Sequence, residues 1–511
     1  MSSLAVLSSW ACARVSLEEA KKKNFDFFAN TSKDGMEFNG FNTKDCRESD
    51  GEVKQKTKAV YLPLIDMHPA EYDTVLTTMV QVKELTKTYG QDFSVVTFDQ
   101  QLYNLAIQIQ WDMIKEFPLN NFFIRLGGMH TLMNFVGAIG TLMSDSGLSD
   151  ILSSSFAGVT RMLTGKKYPQ CLRALRMVVE VILEPILQID GVSCYEDLIT
   201  VLEERAAESK TCKLWLDCLV KPVLLCMNFI RAEREGNFPL HVATIKAMHP
   251  YYFAAGRANY ARSVSSYLMS IECLPVDMFR GLLEGNHVMR HKKGVWNGVS
   301  SDMFIESTFM RYGHSKTGVI GTTLNPETTK VWALSRHACG KLLQDLSDMR
   351  GNRSEAAQVQ LAHKEEAKAR IEKDRKDREG IRQKLKDCIH PLDSSVHPDE
   401  LVNVSSGRLS TEKVNVHMAM ELSLKQAIEF QKSLPEGFWS SIKREIKTMS
   451  DVKRATRLTN HEQTCDPELI YSRALALQAT SRNIDTQTLL SHELSSFPLS
   501  MFDDSGEMRI C

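Results

Sequence analysis

Three short apolar runs decide the predicted fold: VYLPLI at residues 60–65, FSVVTF at 93–98 and FFIRL at 122–126. Apolar runs of this length, bounded by turn residues, are typical of buried β-strands. Segments with apolar residues at helical spacing separate the runs, so strands and helices alternate along the chain. This order favours parallel neighbours joined by right-handed crossovers. We therefore predict a small parallel or mixed sheet within a predominantly helical, mixed α/β protein.

The connecting segments carry helix start and stop signals. Asp73 is a predicted N-cap, and the apolar residues behind it recur at helical spacing until Gly90 supplies the stop. A second helix is predicted from about Gln100 to Lys115. The Gly127-Gly128 pair predicts a tight turn from the third strand into a third helix.

Polar residues follow each predicted strand. Asp66 and Asp99 end the first two strands, and His130 lies just beyond the third. Ligands bind beyond the carboxyl ends of parallel strands, and two carboxylates brought together there can hold the divalent ions used in phosphoryl transfer. Asp302 and Glu306, one helical turn apart, are candidates for the third acid such a site needs.

Each of these residues also has a structural interpretation. An Asp at a strand end commonly caps a turn or the next helix. His130 follows two glycines, whose turn would expose backbone N–H groups to an anion. It is equally well explained as an ordinary residue in the first turn of a helix.

Two basic segments add further candidates. His287 and His291 are spaced i, i+4, which suits joint metal ligation on a helix. The cations around them suit a phosphate-contacting loop: Arg290, Lys292 and Lys293. Three residues on a predicted helix suit base stacking and backbone contact, or a half-buried helix with snorkelling arginines: Arg257, Tyr260 and Arg262.

Composition narrows the class of protein. A net charge of -1 gives no global field that attracts nucleic acid. The 12 cysteines form no CxxC pair, and several lie in apolar helices, which predicts free thiols and an intracellular, nuclear or cytoplasmic protein rather than a secreted one. No apolar run approaches the ~20 residues of a membrane helix, so we predict no membrane partner.

The remaining sequence predicts the domain organisation. Residues 353–387 are highly charged with few apolar positions, which predicts a long exposed helix that contacts solvent, a protein partner or DNA. The predicted segments are a poorly ordered start at 1–57, an α/β core at 58–146, a helical domain or insertion at 147–285, a segment returning to the core at 286–350, the long charged helix at 351–390, a linker at 391–410 and a helical region at 411–511.

Eight segments occur in an order that resembles a family. They are FNGFN at 38–42, VVTFDQQLY at 95–103, FIRLGGMHTLMNFVGAIG at 123–140, SGL at 146–148, ANYARSVSSYL at 258–268, GVWNGVSSDMFIESTFMRYG at 294–313, LNPETTKVWALS at 324–335 and PLSMFDDSGEMR at 498–509. Over about residues 36–511, the chain resembles an uncharacterised group of multicopy animal proteins derived from transposons. The core of that group is similar to RNase H-like, DDE-type transposase domains.

The resemblance implies an acidic triad with a helical insertion before its last acid. It implies Asp66, Asp99 and Glu306 as the triad, with Mg²⁺ or Mn²⁺ as cofactor and DNA as partner. Some relatives carry Asp where this chain has Asn39, and the triad is broken if that position is the aligned one. The chain starts close to the family's core and stops at Cys511, so we expect a fragment of an element.

The leading expectation is a transposon-derived intracellular protein with a catalytically degenerate RNase H-like core, for which nucleic-acid binding is a candidate property. One alternative is an active divalent-metal-dependent nuclease or transposase. A third is a helical interaction scaffold without catalysis. The convergence of three carboxylates would distinguish the second from the others.

Overall fold

A computed structural model describes residues 2–31, 40–42, 51–60, 62, 65, 67–291, 293–311, 325, 327–332, 334, 335, 338, 342, 365, 367–451, 456, 457, 464 and 465. The chain forms two compact units, Met1–Thr448 and Met449–Cys511. In the second unit, a short 3₁₀ turn spans Met449–Asp451, and β5 (Thr456–Arg457) pairs antiparallel with β6 (Thr464–Cys465).

Helices dominate the first unit. Among the described residues, the α-helices with defined bounds are α1 Ser2–Thr31, α2 Tyr72–Thr88, α3 Gln100–Asp112, α4 Gly128–Leu142, α5 Leu148–Ser153, α6 Val159–Leu163, α7 Tyr168–Leu183, α8 Tyr195–Glu208, α9 Lys210–Trp215, α10 Lys221–Glu235, α11 Phe238–Ala254, α12 Ala258–Glu272, α13 Val276–Gly281, α14 Ser301–Ile305, α15 Lys368–Lys386 and α16 Ala419–Gly437. The same part of the chain contains three π turns, at Leu216–Val220, Leu282–Asn286 and Glu306–Met310, and a 3₁₀ turn at Val416–Met418.

Two of the predicted strands form a parallel pair. Strand β1 (Ser94–Phe98) lies beside β2 (Phe122–Leu126), in a register that opposes Ser94 to Phe122 and Phe98 to Leu126. Helix α3 makes the crossover, as the alternation predicts. A second small pair, β3 (Met289–Arg290) and β4 (Gly298–Val299), is antiparallel. All five residues of β2 are buried, so the small sheet forms part of the core.

The first predicted strand, at 60–65, is wrong where the structure describes it. Val60, Leu62 and Ile65 belong to no strand. Val60 is 79% exposed and Leu62 44% exposed, so this run lacks the burial that makes an apolar strand favourable. Asp66, at its end, lies outside the described residues.

The N-terminal segment, predicted to be poorly ordered, contains the long helix α1. Its inner face buries Ala20, Phe27 and Phe28. The buried Asn24 donates a 2.7 Å hydrogen bond to Asn228 Oδ1 on α10. These positions follow helical spacing, but the surrounding lysines and polar residues hide the pattern in the composition.

Helix α15 corrects the prediction of an exposed helix over 353–387, of which 353–364 lie outside the described residues. It packs against α7 and buries Ile381 and Leu385. Asp374, 1% exposed, accepts a 2.7 Å hydrogen bond from Arg173 Nε of α7. Glu184, which follows α7, pairs with Arg382 at 2.7 Å. The charges on the inner face of α15 are therefore paired across an interface, whereas those on its outer face remain exposed.

The segment 391–410, predicted as a linker, is packed into the first unit. Leu392, Val402 and Val404 are at most 1% exposed, and Val402 forms a β-bridge to Leu409. Short apolar clusters between polar residues explain this packing.

None of the described helices combines the length and the hydrophobicity that a bilayer-spanning segment needs.

Candidate functional site

Four polar residues lie at the carboxyl edge of the β1–β2 pair: Asp99, His130, Asp302 and Glu306, here called the sheet-edge cluster. Asp99 ends β1 and caps α3, where its Oδ1 accepts a 3.0 Å hydrogen bond from the Leu102 amide. His130 lies in the first turn of α4. Asp302 and Glu306 follow the helical region in sequence, on α14 and the π turn after it.

Asp302 binds the start of α4. Its Oδ1 accepts from the Met129 amide at 3.1 Å and from its neighbour Met303 at 3.0 Å. Its Oδ2 faces the amide and the ring Nδ1 of His130, both at 3.0 Å. The helix N-terminus predicted to attract an anion therefore binds the protein's own carboxylate.

The Gly127-Gly128 pair makes this close approach possible. A Cβ atom on Gly127 would lie 2.6 Å from Asp302 Oδ2. One on Gly128 would lie 2.6 Å from Ser300 Oγ. Larger residues at either position would push the 300–302 segment away from α4.

The sheet-edge charges shift each other's titration. The hydrogen bond to Asp302 raises the pKa of His130 despite partial burial, and Asp99 and Glu306 raise it further. Burial acts to raise the pKa of Asp302, but its hydrogen bonds from His130 and Met129 outweigh burial and lower it. An ionised Asp302 beside a protonated His130 is thus the favoured pair in mildly acidic solution.

Asp302→Asn is expected to lower the free energy of unfolding by about 2 kcal/mol near pH 6, since charged hydrogen bonds contribute this much and an amide N–H would face the His130 donors. The raised His130 pKa contributes stability that is complete below 6.5 and lost as pH rises through the folded-state pKa. The lowered Asp302 pKa contributes stability above 3.8 that is lost as pH falls through its folded-state value. Urea denaturation at several pH values measures both trends.

Asp302→Asn should abolish both pH-dependent losses of stability, the loss as pH rises through the His130 pKa and the loss as pH falls through the Asp302 pKa. A wild-type stability profile that the variant reproduces, merely shifted downward, would contradict the pairing of His130 with Asp302.

The acidic triad as a whole stays a prediction, because Asp66 lies outside the described residues. Of its other two members, Asp99 caps α3 and Glu306 is exposed. Within the described part of the chain, three other potential metal ligands have their ligand atoms within 4.8 Å of one another: Glu233, His241 and His287.

The residues on α12 predicted to contact nucleic acid serve the packing instead. Tyr260 and Arg262 are each 8% exposed. Arg262 donates to the carbonyl oxygens of Phe438 and, at 3.0 Å, Ser440. Arg257, at the N-cap, donates to the Gly137 carbonyl at 3.1 Å. The half-buried interpretation of these residues is the correct one.

In the predicted phosphate-contacting loop, Arg290 is internal. Arg290 is 5% exposed and donates to the carbonyl oxygens of Gly285 and Glu235. Lys293 is exposed, and Lys292 lies outside the described residues. A basic surface patch built on Arg290 is therefore excluded.

The predicted His287–His291 pair does not form. Gly285, at φ 83°, ends the preceding helical segment, and Met289–Arg290 is a strand, so i, i+4 spacing no longer places the two rings on one face. The exposed His291 stacks on Phe304 with ring centroids 4.7 Å apart. His287 points the other way and is 1% exposed.

Glu233, His241 and His287 form a second cluster, here called the buried triad. Glu233 lies near the end of α10 and His241 in the first turn of α11, and Gly236, in the left-handed region at φ 73°, turns the chain between them. His241 Nδ1 is 2.7 Å from Glu233 Oε1. Sequence reasoning missed Glu233 and His241, because no short motif marks two ligands that a helix–helix turn brings together.

The buried triad adjoins a cavity. Glu233 Oε2 accepts a 2.7 Å hydrogen bond from Ser300 Oγ, and both residues line a cavity of about 370 Å³. The other lining residues are mostly apolar, with cations that include Arg173 and Arg234. Glu233 is therefore a member of the triad that also lines the cavity.

One family model matches this sequence. It is described as Domain of unknown function (DUF8702), and it matches residues 37–191 and 190–493. No curated protein and no solved structure shows significant similarity to the chain. The matched residues include the sheet-edge cluster and the buried triad, and they make up most of the sequence. This chain therefore belongs to the DUF8702 family.

Proposed function

We propose that this chain is a transposon-derived intracellular protein with a catalytically inactive RNase H-like core, in which the sheet-edge cluster holds the helical region onto the small sheet. One observation carries the proposal. Each carboxylate oxygen of Asp302 has two hydrogen-bond partners within the protein. A carboxylate offers about four acceptor positions, so Asp302 has none left for a metal ion.

The arrangement of the elements supports an RNase H-like origin. Two parallel strands joined by α3 are followed by a long helical stretch, after which the chain returns with Asp302 and Glu306 to the sheet edge. One carboxylate oxygen of Asp99 caps α3 by accepting a hydrogen bond from the Leu102 amide. Free, buried thiols such as Cys171, Cys218 and Cys226 support the intracellular location.

An active divalent-metal nuclease is the second candidate. Asp99 and Glu306 both lie near enough to His130 to raise its pKa, so two carboxylates do approach one place. Mg²⁺ or Mn²⁺ would need both of them and a third oxygen donor. In this second candidate, DNA is the substrate and partner. In the leading proposal, Tyr260, Arg262 and Arg290 cannot contact nucleic acid, because their side chains are buried.

Mn²⁺ distinguishes the two candidates. For the inactive protein, we expect no melting shift that depends on Asp99 and no nicking of supercoiled DNA. A bound ion would stabilise the native state by ~2.7 kcal/mol at a hundredfold excess over Kd. Calorimetry and a plasmid assay measure these results on wild type, Asp99→Asn and the matched control Asp112→Asn, at the exposed far end of α3.

A Mn²⁺-dependent shift and nicking activity that are lost in Asp99→Asn but kept in Asp112→Asn would overturn the proposal in favour of an active nuclease. A shift that Asp99→Asn leaves unchanged arises elsewhere in the protein and leaves the inactive assignment standing.

A further inference from the structure

We propose that Glu233, His241 and His287 form a binding site for one divalent transition-metal ion, with Zn²⁺ as the probe. The three side chains come from α10, α11 and the segment after the second π turn. All three are buried, and one potential ligand atom from each lies within 4.8 Å of the other two.

The donor set and spacing suit such an ion. Two imidazoles and a carboxylate are a ligand set of zinc enzymes and of non-haem iron sites. In a tetrahedral site, ligand atoms ~2.1 Å from one ion are about 3.4 Å apart. Because the three atoms lie within 4.8 Å of one another, side-chain shifts on the order of an ångström would bring them to ligand distance.

His287 is the second observation that points to a ligand. The ring is 1% exposed, and neither nitrogen has a side-chain hydrogen-bond partner among the described residues; the Leu282 backbone lies nearby without good hydrogen-bond geometry. A buried polar group without a partner is destabilising by about 1–3 kcal/mol. The rings of Phe238, at 5.2 Å, and His241, at 5.5 Å, fix the imidazole beside the other two candidate ligands. Coordination would use a lone pair that the fold leaves unused.

The surrounding hydrogen bonds orient the other two ligands. Tyr267 Oη lies 3.2 Å from His241 Nε2, which leaves Nδ1 directed at Glu233. Ser300 Oγ holds the second oxygen of Glu233. Metal sites typically orient their histidines and carboxylates by such outer contacts. The ion would replace the hydrogen bond between Glu233 Oε1 and His241 Nδ1.

Two positive charges oppose a cation here. Arg125 Nη1 donates a 2.6 Å hydrogen bond to the His287 carbonyl oxygen, and Arg290 also lies close enough to act on the His287 ring. The Glu233 carboxylate offsets part of this charge, and a three-ligand site keeps a position for water or an anion. The cavity beside Glu233 provides space through which such a ligand and the ion can enter.

Binding of Zn²⁺ and Co²⁺ to metal-depleted full-length protein tests the site. We expect wild type to bind one Zn²⁺ that His287→Phe does not bind, by equilibrium dialysis, and Co²⁺ to give visible absorption bands of a low-coordinate site. Loss of one ligand should weaken binding by more than about 100-fold, because outer-contact changes alone reach that range. His287→Phe keeps an aromatic ring in the apolar contact with Phe238.

The matched control is His291→Ala, an exposed change four residues away that should retain the ion. Glu233→Gln, which preserves shape, provides a second ligand variant if His287→Phe fails to fold. Stoichiometry and cobalt bands that persist in the folded ligand variants would overturn the proposal, as would wild-type protein without cobalt bands. A metal-induced melting shift that disappears in His287→Phe but persists in Asp99→Asn belongs to this site and not to the sheet edge.

Discussion

Asp374→Ala is expected to lower the free energy of unfolding by about 3 kcal/mol, the lower end of the range for breaking a buried ion pair. Asp374 is 1% exposed and accepts from Arg173 Nε at 2.7 Å and from Arg370 Nε at 2.9 Å. Its removal leaves the largely buried Arg173 guanidinium with Asp377 as its remaining acidic partner at this interface. Urea denaturation followed by circular dichroism measures the loss.

The matched control lies two residues away on the same helix. Glu372 pairs with Arg375 at 3.1 Å, but their side chains are 50% and 66% exposed. Exposed pairs contribute ~0–1 kcal/mol, so Glu372→Ala should be nearly neutral. Equal effects of the two substitutions would show that α15 is not docked on α7.

Phe27→Ala is expected to have the larger effect, about 3–5 kcal/mol. Phe27 is 1% exposed, its ring lies 5.3 Å from Phe28 and 5.7 Å from Phe41, and Arg176 lies over it at 5.4 Å. Truncation removes these contacts and leaves a cavity between α1 and the core. Thermal and urea unfolding of the full-length variant measure the loss.

Lys22→Ala, on the exposed side of α1, is the control and should change stability by less than about 0.5 kcal/mol. If Phe27→Ala unfolded as wild type does, α1 would not belong to the core.

The parts of the fold that sequence could predict were those with local signals. Strands β1 and β2 were predictable because each is a short apolar run followed by a helix start, at Asp99 and at Gly127-Gly128. The run at 60–65 carries the same apolar signal, yet Pro63 within it already weakens a central-strand assignment. Periodicity alone does not reveal whether an apolar run finds a partner that buries it.

Sequence identified all four members of the sheet-edge cluster, and its structural interpretations included the capping role of Asp99 and the first-turn position of His130. It did not reveal the partners of Asp302. Asp302 was a candidate acid, and its role as a cap for α4 depends on a contact across about 170 residues, which no local pattern encodes. Sequence identified only one member of the buried triad, His287. The sequence predicts a metal pair of His287 with His291, because their spacing suits a helix; in the structure, Gly285 ends that helix.

The π turn at Leu216–Val220 has a consequence for how family members are compared. All five of its residues are buried, and α10 continues directly from it to Glu233. A π turn holds one residue more than an α-turn, and each helical residue accounts for about 100° of rotation. A relative one residue shorter at this turn would carry the same glutamate on a different face of α10. A single-position gap in a family alignment would therefore distinguish two kinds of member. Members without the gap keep this carboxylate beside His241, whereas members with the gap have a glutamate at the aligned position that faces elsewhere.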